Sequence, residues 1–257
     1  MQHPVNTLKK ALSAGKFQLG VWSGLCSPLV AEILSDGPFD WLTIDMEHSP
    51  NTLESVLAQL QAMRGGMVAP IVRPPWNDFV VIKQLLDAGA QSFIIPYVQN
   101  AEEAARAVAA TRYPPRGIRG VAGGSRATRF GRIADYLKHA DEEICVIVQA
   151  ESVEALDNIE AIAAVDGVDG IFVGPADLSA SMGLLGQLSH PDLLARIAEA
   201  ADRINATGKV SATLSFDPAM ARAFADMGFQ MVAAASDTHF LLRGAASVAN
   251  GFADLRG

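Results

Sequence analysis

Four charged or titratable residues stand at the ends of short apolar runs, and their side chains are of types that carry out acid–base and metal-assisted chemistry. His48 follows the run WLTIDME, and Arg73 ends the run APIVR. Glu151 follows ICVIVQA, and Asp177 follows GIFVGPA. Histidine transfers protons near neutral pH, arginine keeps its positive charge, and carboxylates bind divalent cations. Together they predict a site that moves a proton on an anionic substrate beside a metal ion.

The two carboxylates suit a hard divalent cation. Glu151 and Asp177 are 26 residues apart, so they follow consecutive strand-forming runs at equivalent positions and can meet. Two carboxylates in one pocket repel each other unless a cation or a proton separates them. Because no cysteine or second histidine lies nearby in the sequence, the oxygen ligands favour Mg²⁺ or Mn²⁺. Simpler interpretations stay open: solvated helix caps for both acids and for His48, and a structural salt bridge for Arg73.

The turn Gly174-Pro175-Ala176-Asp177 leads from a strand into a helix. Free backbone N–H groups at a helix start bind a carboxylate or a phosphate, although this motif is only moderately specific. None of the six lysines ends a strand-forming run, and Lys209 begins one. A Schiff-base mechanism needs an amine in the pocket, so the sequence disfavours it and favours a metal as the electron sink.

The elements that position these residues are predicted from eight short apolar runs, each followed by a turn signal and a segment with helical spacing. This repeat is typical of a (β/α)₈ barrel, in which polar groups at the carboxyl ends of the strands converge on a ligand. A doubly wound sheet is the alternative, but it more often carries a glycine-rich phosphate loop after its first strand. We predict one α/β barrel domain over residues 1–257, with strands at Gln18–Ser23, Asp40–Asp45, Ala69–Arg73, Ser92–Tyr97, Ile144–Ala150, Gly170–Gly174, Lys209–Leu214 and Phe229–Ala234.

Helix starts are predicted at four polar residues that can cap a first turn: Ser27, Asn51, Ser152 and Asp217. An insertion is predicted between the fourth barrel helix and the fifth strand, at Tyr113–Ala140. Six arginines crowd in or next to it: Arg112, Arg116, Arg119, Arg126, Arg129 and Arg132. They could clamp an anionic ligand, but a charge run is more often a solvated face or a subunit contact.

Composition narrows the partners to small molecules. The 20 basic and 28 acidic residues give a net charge of −8, the wrong sign for a protein that binds nucleic acid or an anionic membrane. The N-terminus has no apolar signal region, and no run reaches the ~20 apolar residues of a membrane span. We therefore expect a cytoplasmic protein. Cys26 and Cys145 lack CxxC spacing and are predicted to be plain buried thiols.

Six motifs carry a resemblance to a known family. In order and spacing, FDWLTIDMEHSPN, APIVRPPW, IKQLLDAGAQSFIIPYVQ, RYPPRGIRGV, VIVQAES and VDGIFVGPADLSASMG resemble the HpcH/HpaI aldolase family, and the similarity covers nearly the whole chain. The resemblance implies a metal-dependent class II pyruvate aldolase on a (β/α)₈ barrel. It also implies a homohexamer, a trimer of dimers that exchange their last helix.

The resemblance assigns roles to single residues. His48 would be the base, and Asp87, in KQLLDAGAQ, would hold its other ring nitrogen. Arg73 would stabilise the enolate, while Glu151 and Asp177 would bind Mg²⁺ or Mn²⁺, or also Co²⁺. The remaining implied contacts are to substrate. Gln149 and the Gly174-Pro175-Ala176-Asp177 turn would hold the 2-oxo acid, and Trp22 and Leu214 would wall the aldehyde side.

The predicted reaction is the reversible joining of pyruvate or hydroxypyruvate to an aldehyde, by a carbon–carbon lyase. One alternative is a CoA-ester lyase of the citrate lyase β type, which shares the barrel and the acidic metal site. Those chains are usually longer, and His48 with Asp87 favours the aldolase. A second alternative is a non-catalytic protein that binds 2-oxo acids.

Overall fold

All eight predicted strands are present, and they close into a parallel barrel in which each strand pairs with the next and the eighth pairs with the first. The computed structural model describes residues 1–255. Its closed barrel confirms the (β/α)₈ prediction and excludes the doubly wound sheet. The strands are β1 Gln18–Ser23, β2 Trp41–Asp45, β3 Ala69–Arg73, β4 Ser92–Ile95, β5 Cys145–Ala150, β6 Gly170–Val173, β7 Val210–Leu214 and β8 Met231–Ser236.

The helices begin at polar caps near the carboxyl ends of the strands. Ser27, Ser152 and Asp217 cap helices as predicted, but Asn51 does not. Thr52 takes that position because its side chain and that of Ser55 cap each other's backbone N–H groups. The helices are α1 Thr7–Ser13, α2 Pro28–Ser35, α3 Leu53–Ala62, α4 Phe79–Ala88, α5 Ala101–Thr111, α6 Tyr136–His139, α7 Val153–Asp157, α8 Ile159–Ala163, α9 Pro175–Ser181, α10 Pro191–Ala206, α11 Pro218–Asp226 and α12 Asp237–Asn250.

Below the carboxyl ends of its strands, the barrel interior is filled with apolar side chains. Trp41, Phe172 and Met231 are completely buried there, and Leu8 and Leu12 of α1 belong to the same cluster. Gly20 makes room for the largest of these side chains, because a Cβ at this position would lie 2.1 Å from the ring of Trp41. The barrel is therefore a packed core, and a ligand can bind only at its carboxyl end.

The arginine-rich segment lies on the opposite, amino-terminal face. Residues 112–135 consist of turns and bends between the end of α5 and α6. Arg126 donates to the carbonyl groups of Ala88 at 2.6 Å and Leu60 at 3.1 Å, so it caps the ends of two helices. Arg119 is almost fully buried, and its guanidinium lies over the ring of Tyr113. Within one chain, these two arginines support the structure of the face that lies away from the carboxyl ends of the strands.

The last helix, α12, projects from the barrel with its apolar side chains in solvent. Leu241, Leu242 and Val248 are more than 60% exposed. The outer surface of β1 and β8 is open in the same chain, where a groove of about 460 Å³ runs along α11. Among residues 1–255, no helix is long and apolar enough to cross a membrane.

Candidate active site

A pocket of about 490 Å³ opens at the carboxyl ends of the strands. Nine of the residues singled out from the sequence line it: Trp22, His48, Arg73, Gln149, Gly174, Pro175, Ala176, Asp177 and Leu214. Glu151 is buried directly behind Gln149, whose amide donates to the Glu151 carboxylate. The strand ends therefore bring together all but one of the predicted site residues, and the exception is Asp87.

Arg73 is buried and fixed by two carboxylates. The register of β2 and β3 sets Asp45 beside Arg73, and the guanidinium donates to both carboxylate oxygens of Asp45, at 2.8 and 2.7 Å. Its third nitrogen, Nη1, lies 3.0 Å from Oε2 of Glu47 in an ion pair without hydrogen-bond geometry. The guanidinium also lies 4.9 Å from the ring centre of Trp22. Arg73 thus presents a fixed cation to the pocket.

The two carboxylates beside Arg73 differ in their tendency to ionise. Burial raises the pKa of Asp45, but the hydrogen bonds and charge of Arg73 outweigh burial, and its pKa lies below the ordinary value. Burial raises the pKa of Glu47 above its ordinary value, and Arg73 offsets this only in part. Asp45 is therefore the stable counter-ion of Arg73, while Glu47 is the more easily protonated neighbour.

Glu151 is a buried carboxyl group surrounded by negative charge. Burial, and then the charges of Glu47 and Asp177, raise its pKa to about 8. One oxygen accepts a hydrogen bond from the backbone N–H of Tyr97 at 2.9 Å. Tyr97 has a φ of 54°, a strained conformation for a residue other than glycine that aims this N–H at the site. The chain therefore holds Glu151 in a position where burial and neighbouring negative charges make its ionisation unfavourable. A nearby cation would offset this free-energy cost.

The space in front of Glu151 depends on Gly174. A Cβ at this position would lie 2.6 Å from Oε2 of Glu151 and 3.1 Å from Nε2 of Gln149. Asp177 is exposed on the first turn of α9, and Oε1 of Gln149 is buried without a hydrogen-bond partner. This set of oxygen atoms fits a divalent cation. Across residues 1–255, no group of three or more His, Cys, Asp or Glu side chains could hold a metal, so water and substrate would complete the shell.

His48 lies at the rim of the pocket with 65% of its side chain exposed. Its Nε2 atom is 4.0 Å from Oε2 of Glu47. An exposed imidazole beside an acidic pocket is placed to exchange protons with a ligand. Its role as the base stays a prediction.

Asp87 does not meet His48 within one chain. It lies in the last turn of α4, which runs from the carboxyl end of the barrel back to the amino-terminal face. There its carboxylate is 3.5 Å from Nη2 of the buried Arg119. The pairing of Asp87 with His48 that the resemblance implies is therefore absent from the single chain.

Several pocket residues were not predicted from the sequence. Asp237 is buried at the end of β8, where its carboxylate accepts hydrogen bonds from Ser23 Oγ and from the N–H groups of Gly24 and Leu25. Phe216 and His239 line the pocket wall, with their ring centres 4.9 Å apart. The signal for Asp237 is its position after an apolar run, the same signal that identified Glu151.

A closed (β/α)₈ barrel with these groups at its carboxyl end defines the class of protein: a barrel enzyme with its active site in this pocket. A model of the HpcH/HpaI aldolase/citrate lyase family matches residues 18–244. A 4-hydroxy-2-oxo-heptane-1,7-dioate aldolase from Salmonella dublin is 51% identical over 248 residues, 96% of this chain and 94% of the relative. The crystal structure of a family protein from Burkholderia cenocepacia J2315 matches with a TM-score of 0.93 and 38% identity, over 98% of this chain and all of that one.

The chain belongs to the HpcH/HpaI aldolase/citrate lyase family. The predicted family and the prediction of an aldolase, a carbon–carbon lyase, are confirmed. The citrate lyase alternative fits less well: a citrate lyase β subunit from M. tuberculosis matches with a TM-score of 0.55 and 16% identity, over 87% of this chain and 92% of that one. A likeness at that identity shows the fold alone.

Proposed function

We propose that this enzyme cleaves and forms hydroxy 2-oxo acids, with pyruvate or hydroxypyruvate as one partner and an aldehyde as the other. The observation that carries the proposal is the charge arrangement of the pocket. Arg73, fixed by Asp45, lines the same pocket as Asp177, and behind Gln149 lies Glu151, whose pKa is raised to about 8 by burial and by the charges of Glu47 and Asp177. This arrangement attracts a divalent cation together with an anion, and a 2-oxo acid is an anion that can chelate a cation.

Glu151 and Asp177 would hold the cation, with Mg²⁺, Mn²⁺ and Co²⁺ as the candidate ions. When bound, the cation would supply a Lewis acid for the keto group of the 2-oxo acid. The backbone N–H groups of Ala176 and Asp177, at the start of α9, would receive the substrate carboxylate. Gln149 would contact the oxo acid, and Arg73 would stabilise the negative charge that develops on the keto oxygen as the C3–C4 bond breaks.

We assign the proton transfers to His48. In cleavage, a ring nitrogen of His48 takes the proton of the C4 hydroxyl group, directly or through a water molecule, and the aldehyde leaves past Trp22 and Leu214. The protonated ring then returns this proton to C3 of the enolate, which completes the 2-oxo acid. In synthesis, the same nitrogen takes a proton from the methyl or hydroxymethyl carbon of the donor and returns it to the oxygen of the new C4 alkoxide. The exposure of His48 at the rim supports this role, because the imidazole can exchange its proton with solvent between turnovers.

Removal of divalent cations tests this function. We expect incubation with a chelator, followed by desalting, to lower aldol cleavage at least about 100-fold, because the Lewis acid that would polarise the keto group is then removed from Glu151 and Asp177. Addition of Mn²⁺, Mg²⁺ or Co²⁺ should restore cleavage. Exchange of the pyruvate methyl protons in D₂O, followed by NMR, should be lost and restored in parallel. Full activity in the chelator would contradict the proposal, and oxo-acid binding without exchange would indicate a non-catalytic protein.

We further propose that active sites are shared between subunits. Asp87 and His48 lie on opposite faces of the barrel, so they could pair only if a second copy supplied Asp87. The apolar face of α12 and the open groove along α11 support an exchange of the last helix between two copies. A homohexamer built from such dimers is the expected assembly. The cytoplasmic location stays a prediction from the sequence.

Mixed oligomers test the shared site. We expect His48→Ala and Asp87→Asn each to be strongly impaired alone. Co-expressed, they should recover about a quarter of wild-type activity, because half of randomly formed pairs are mixed and each mixed pair has one intact site. Two separately purified variants, assayed immediately after mixing, form the control. A monomeric mass in solution, or no recovery in oligomers shown to be mixed, would contradict the shared site.

A further inference from the structure

The arginine-rich segment, residues 112–135, fixes the last turn of α4. The backbone N–H of Ala127 donates to the carbonyl oxygen of Asp87 at 3.2 Å, and the guanidinium of Arg126 donates to that of Ala88 at 2.6 Å. Asp87 is the residue that the proposal of a shared active site assigns to a second copy. The segment therefore holds the backbone that carries Asp87.

Arg119 reaches the side chain of Asp87 from the same segment. Its backbone N–H donates to the carbonyl oxygen of Arg112, at the end of α5, at 2.9 Å. Its side chain is completely buried, and Nη2 donates a long hydrogen bond to Oδ1 of Asp87 at 3.5 Å. Among residues 1–255, Asp87 is the one carboxylate within ion-pair distance of Arg119. The charge of Arg119 is thus directed at Asp87.

The guanidinium of Arg119 has few other partners. Its Nε and Nη1 atoms are buried without a hydrogen-bond partner in the described chain, whereas Arg126 uses its guanidinium to cap two helices. Its other contact is the ring of Tyr113, whose centre is 4.4 Å away. Burial raises the pKa of Tyr113 to about 12 and that of Tyr136 above its ordinary value, so neither phenol is an anion at neutral pH. Because an unpaired buried charge is costly, Asp87 is the group that compensates Arg119.

Asp87 keeps one oxygen free. Its side chain is 27% exposed, and Oδ2 makes no hydrogen bond within residues 1–255. One oxygen therefore faces the buried guanidinium, and the other remains for a donor outside the chain. A carboxylate held in this way presents its free oxygen in a fixed direction, which is what orienting an imidazole requires.

We propose that Arg119 is a positioning residue, which holds the Asp87 carboxylate so that its free oxygen accepts a hydrogen bond from His48 of a second copy. This inference rests on the shared active site proposed above. Asp87 then binds one ring nitrogen of His48 and leaves the other to take the substrate proton. Arg119 itself touches neither the substrate nor the metal site, and it acts only through Asp87.

Substitution of Arg119 tests this role through the two kinetic constants. We expect Arg119→Met to lower kcat for aldol cleavage about tenfold and to leave KM within about twofold, because a badly oriented base slows proton transfer without weakening substrate binding. Arg119→Lys keeps the buried charge and should restore kcat at least about threefold relative to Arg119→Met. The same substitution at an exposed site on α5, Arg106→Met, should leave both constants unchanged.

A double variant separates action through Asp87 from a general effect on the fold. Residues that act through one another have effects that do not multiply. We therefore expect Arg119→Met in combination with Asp87→Asn to have the kcat of Asp87→Asn alone, within about twofold. Multiplied effects would overturn the role of Arg119. Wild-type kcat in Asp87→Asn would overturn the shared site as well, and a wild type without cleavage or pyruvate proton exchange would overturn the proposed function itself.

Mixed oligomers distinguish a positioning defect from a folding defect. Co-expressed with His48→Ala, Arg119→Met should recover about a quarter of wild-type activity, because its own intact His48 then meets a correctly held Asp87. Co-expressed with Asp87→Asn, it should not exceed the mean of the two variants. Arg119→Gln is carried through the same measurements, so that the outcome does not depend on the stability of one variant. Recovery with Asp87→Asn, or none with His48→Ala in oligomers shown to be mixed, would contradict the proposal.

Discussion

Replacing Arg73 with lysine is expected to lower kcat for aldol cleavage by about 10²- to 10³-fold, the cost of losing a donor that stabilises developing charge. Lysine keeps the charge but not the planar fork that binds Asp45 through two hydrogen bonds while a third nitrogen faces Glu47. The remaining ammonium would sit on Asp45 rather than in the pocket. The measurement is kcat and KM for cleavage, together with thermal unfolding to show that the barrel is intact.

The matched control is Arg106→Lys, an arginine-to-lysine change at an exposed ion pair with Glu102. It should leave kcat within about twofold of wild type, because exposed pairs contribute little. If Arg73→Lys also stayed within tenfold while the cation was bound, charge alone would suffice at this position. The geometry of the Asp45 pair would then have no catalytic role.

Replacing Glu151 with glutamine is expected to inactivate the enzyme and to stabilise its metal-free form. Loss of one of the two proposed protein ligands should reduce metal-dependent cleavage about 10³-fold. In the metal-free wild type the pKa of Glu151 is raised from 4.5 to about 8. Between these values the folded protein holds a proton that the unfolded chain has lost, so stability falls as pH rises from 4.5 toward 8.

Since one pKa unit equals about 1.4 kcal/mol, even half of this shift is on the order of 2 kcal/mol. At pH 9 without metal, we expect Glu151→Gln to unfold roughly 4–8 °C above wild type, and at pH 4 the two should coincide. In this variant the side-chain amide of Gln149 would rotate by half a turn. Its Oε1 atom, which has no hydrogen-bond partner in the wild type, would then accept a hydrogen bond from the new amide group at position 151. Glu102→Gln, at a site 85% exposed, is the control and should not change this pH dependence. Equal unfolding temperatures at pH 9 would contradict the raised pKa.

The strands could be predicted because parallel strands buried on both faces appear in a sequence as continuous apolar runs. The residues at which the strands begin and end are harder to predict, and β8 illustrates the reason. It was predicted as Phe229–Ala234, yet it spans Met231–Ser236. Phe229 is equally apolar, but it packs on Phe224 of α11 outside the barrel. Because the predicted strand ends two residues early, Asp237 does not directly follow it and is not among the predicted site residues.

The residues of the candidate site also fall into two groups, those that the sequence predicts and those that only the structure identifies. Glu151, Arg73 and Asp177 could be found because each lies at or just after the end of a strand, and strand ends meet at one edge of the barrel. The role of Asp45 could not, since it depends on the register that sets this residue beside Arg73. The position of Asp87, in contrast, could be inferred from the predicted barrel alone. A helix after a strand runs back toward the other face, so the last turn of α4 cannot reach the pocket of its own chain.

The packed barrel interior sets the order in which substrates can bind. Trp41 and Phe172 close the lower part of the barrel, so the pocket has one mouth, at the carboxyl ends of the strands. Gln149 and Arg73, which are assigned to the 2-oxo acid, are 2% and 6% exposed, whereas the aldehyde side lies nearer the rim. An aldehyde already in place would block the deeper position. Synthesis should therefore follow an ordered sequence in which the 2-oxo acid binds first, and in cleavage it leaves last.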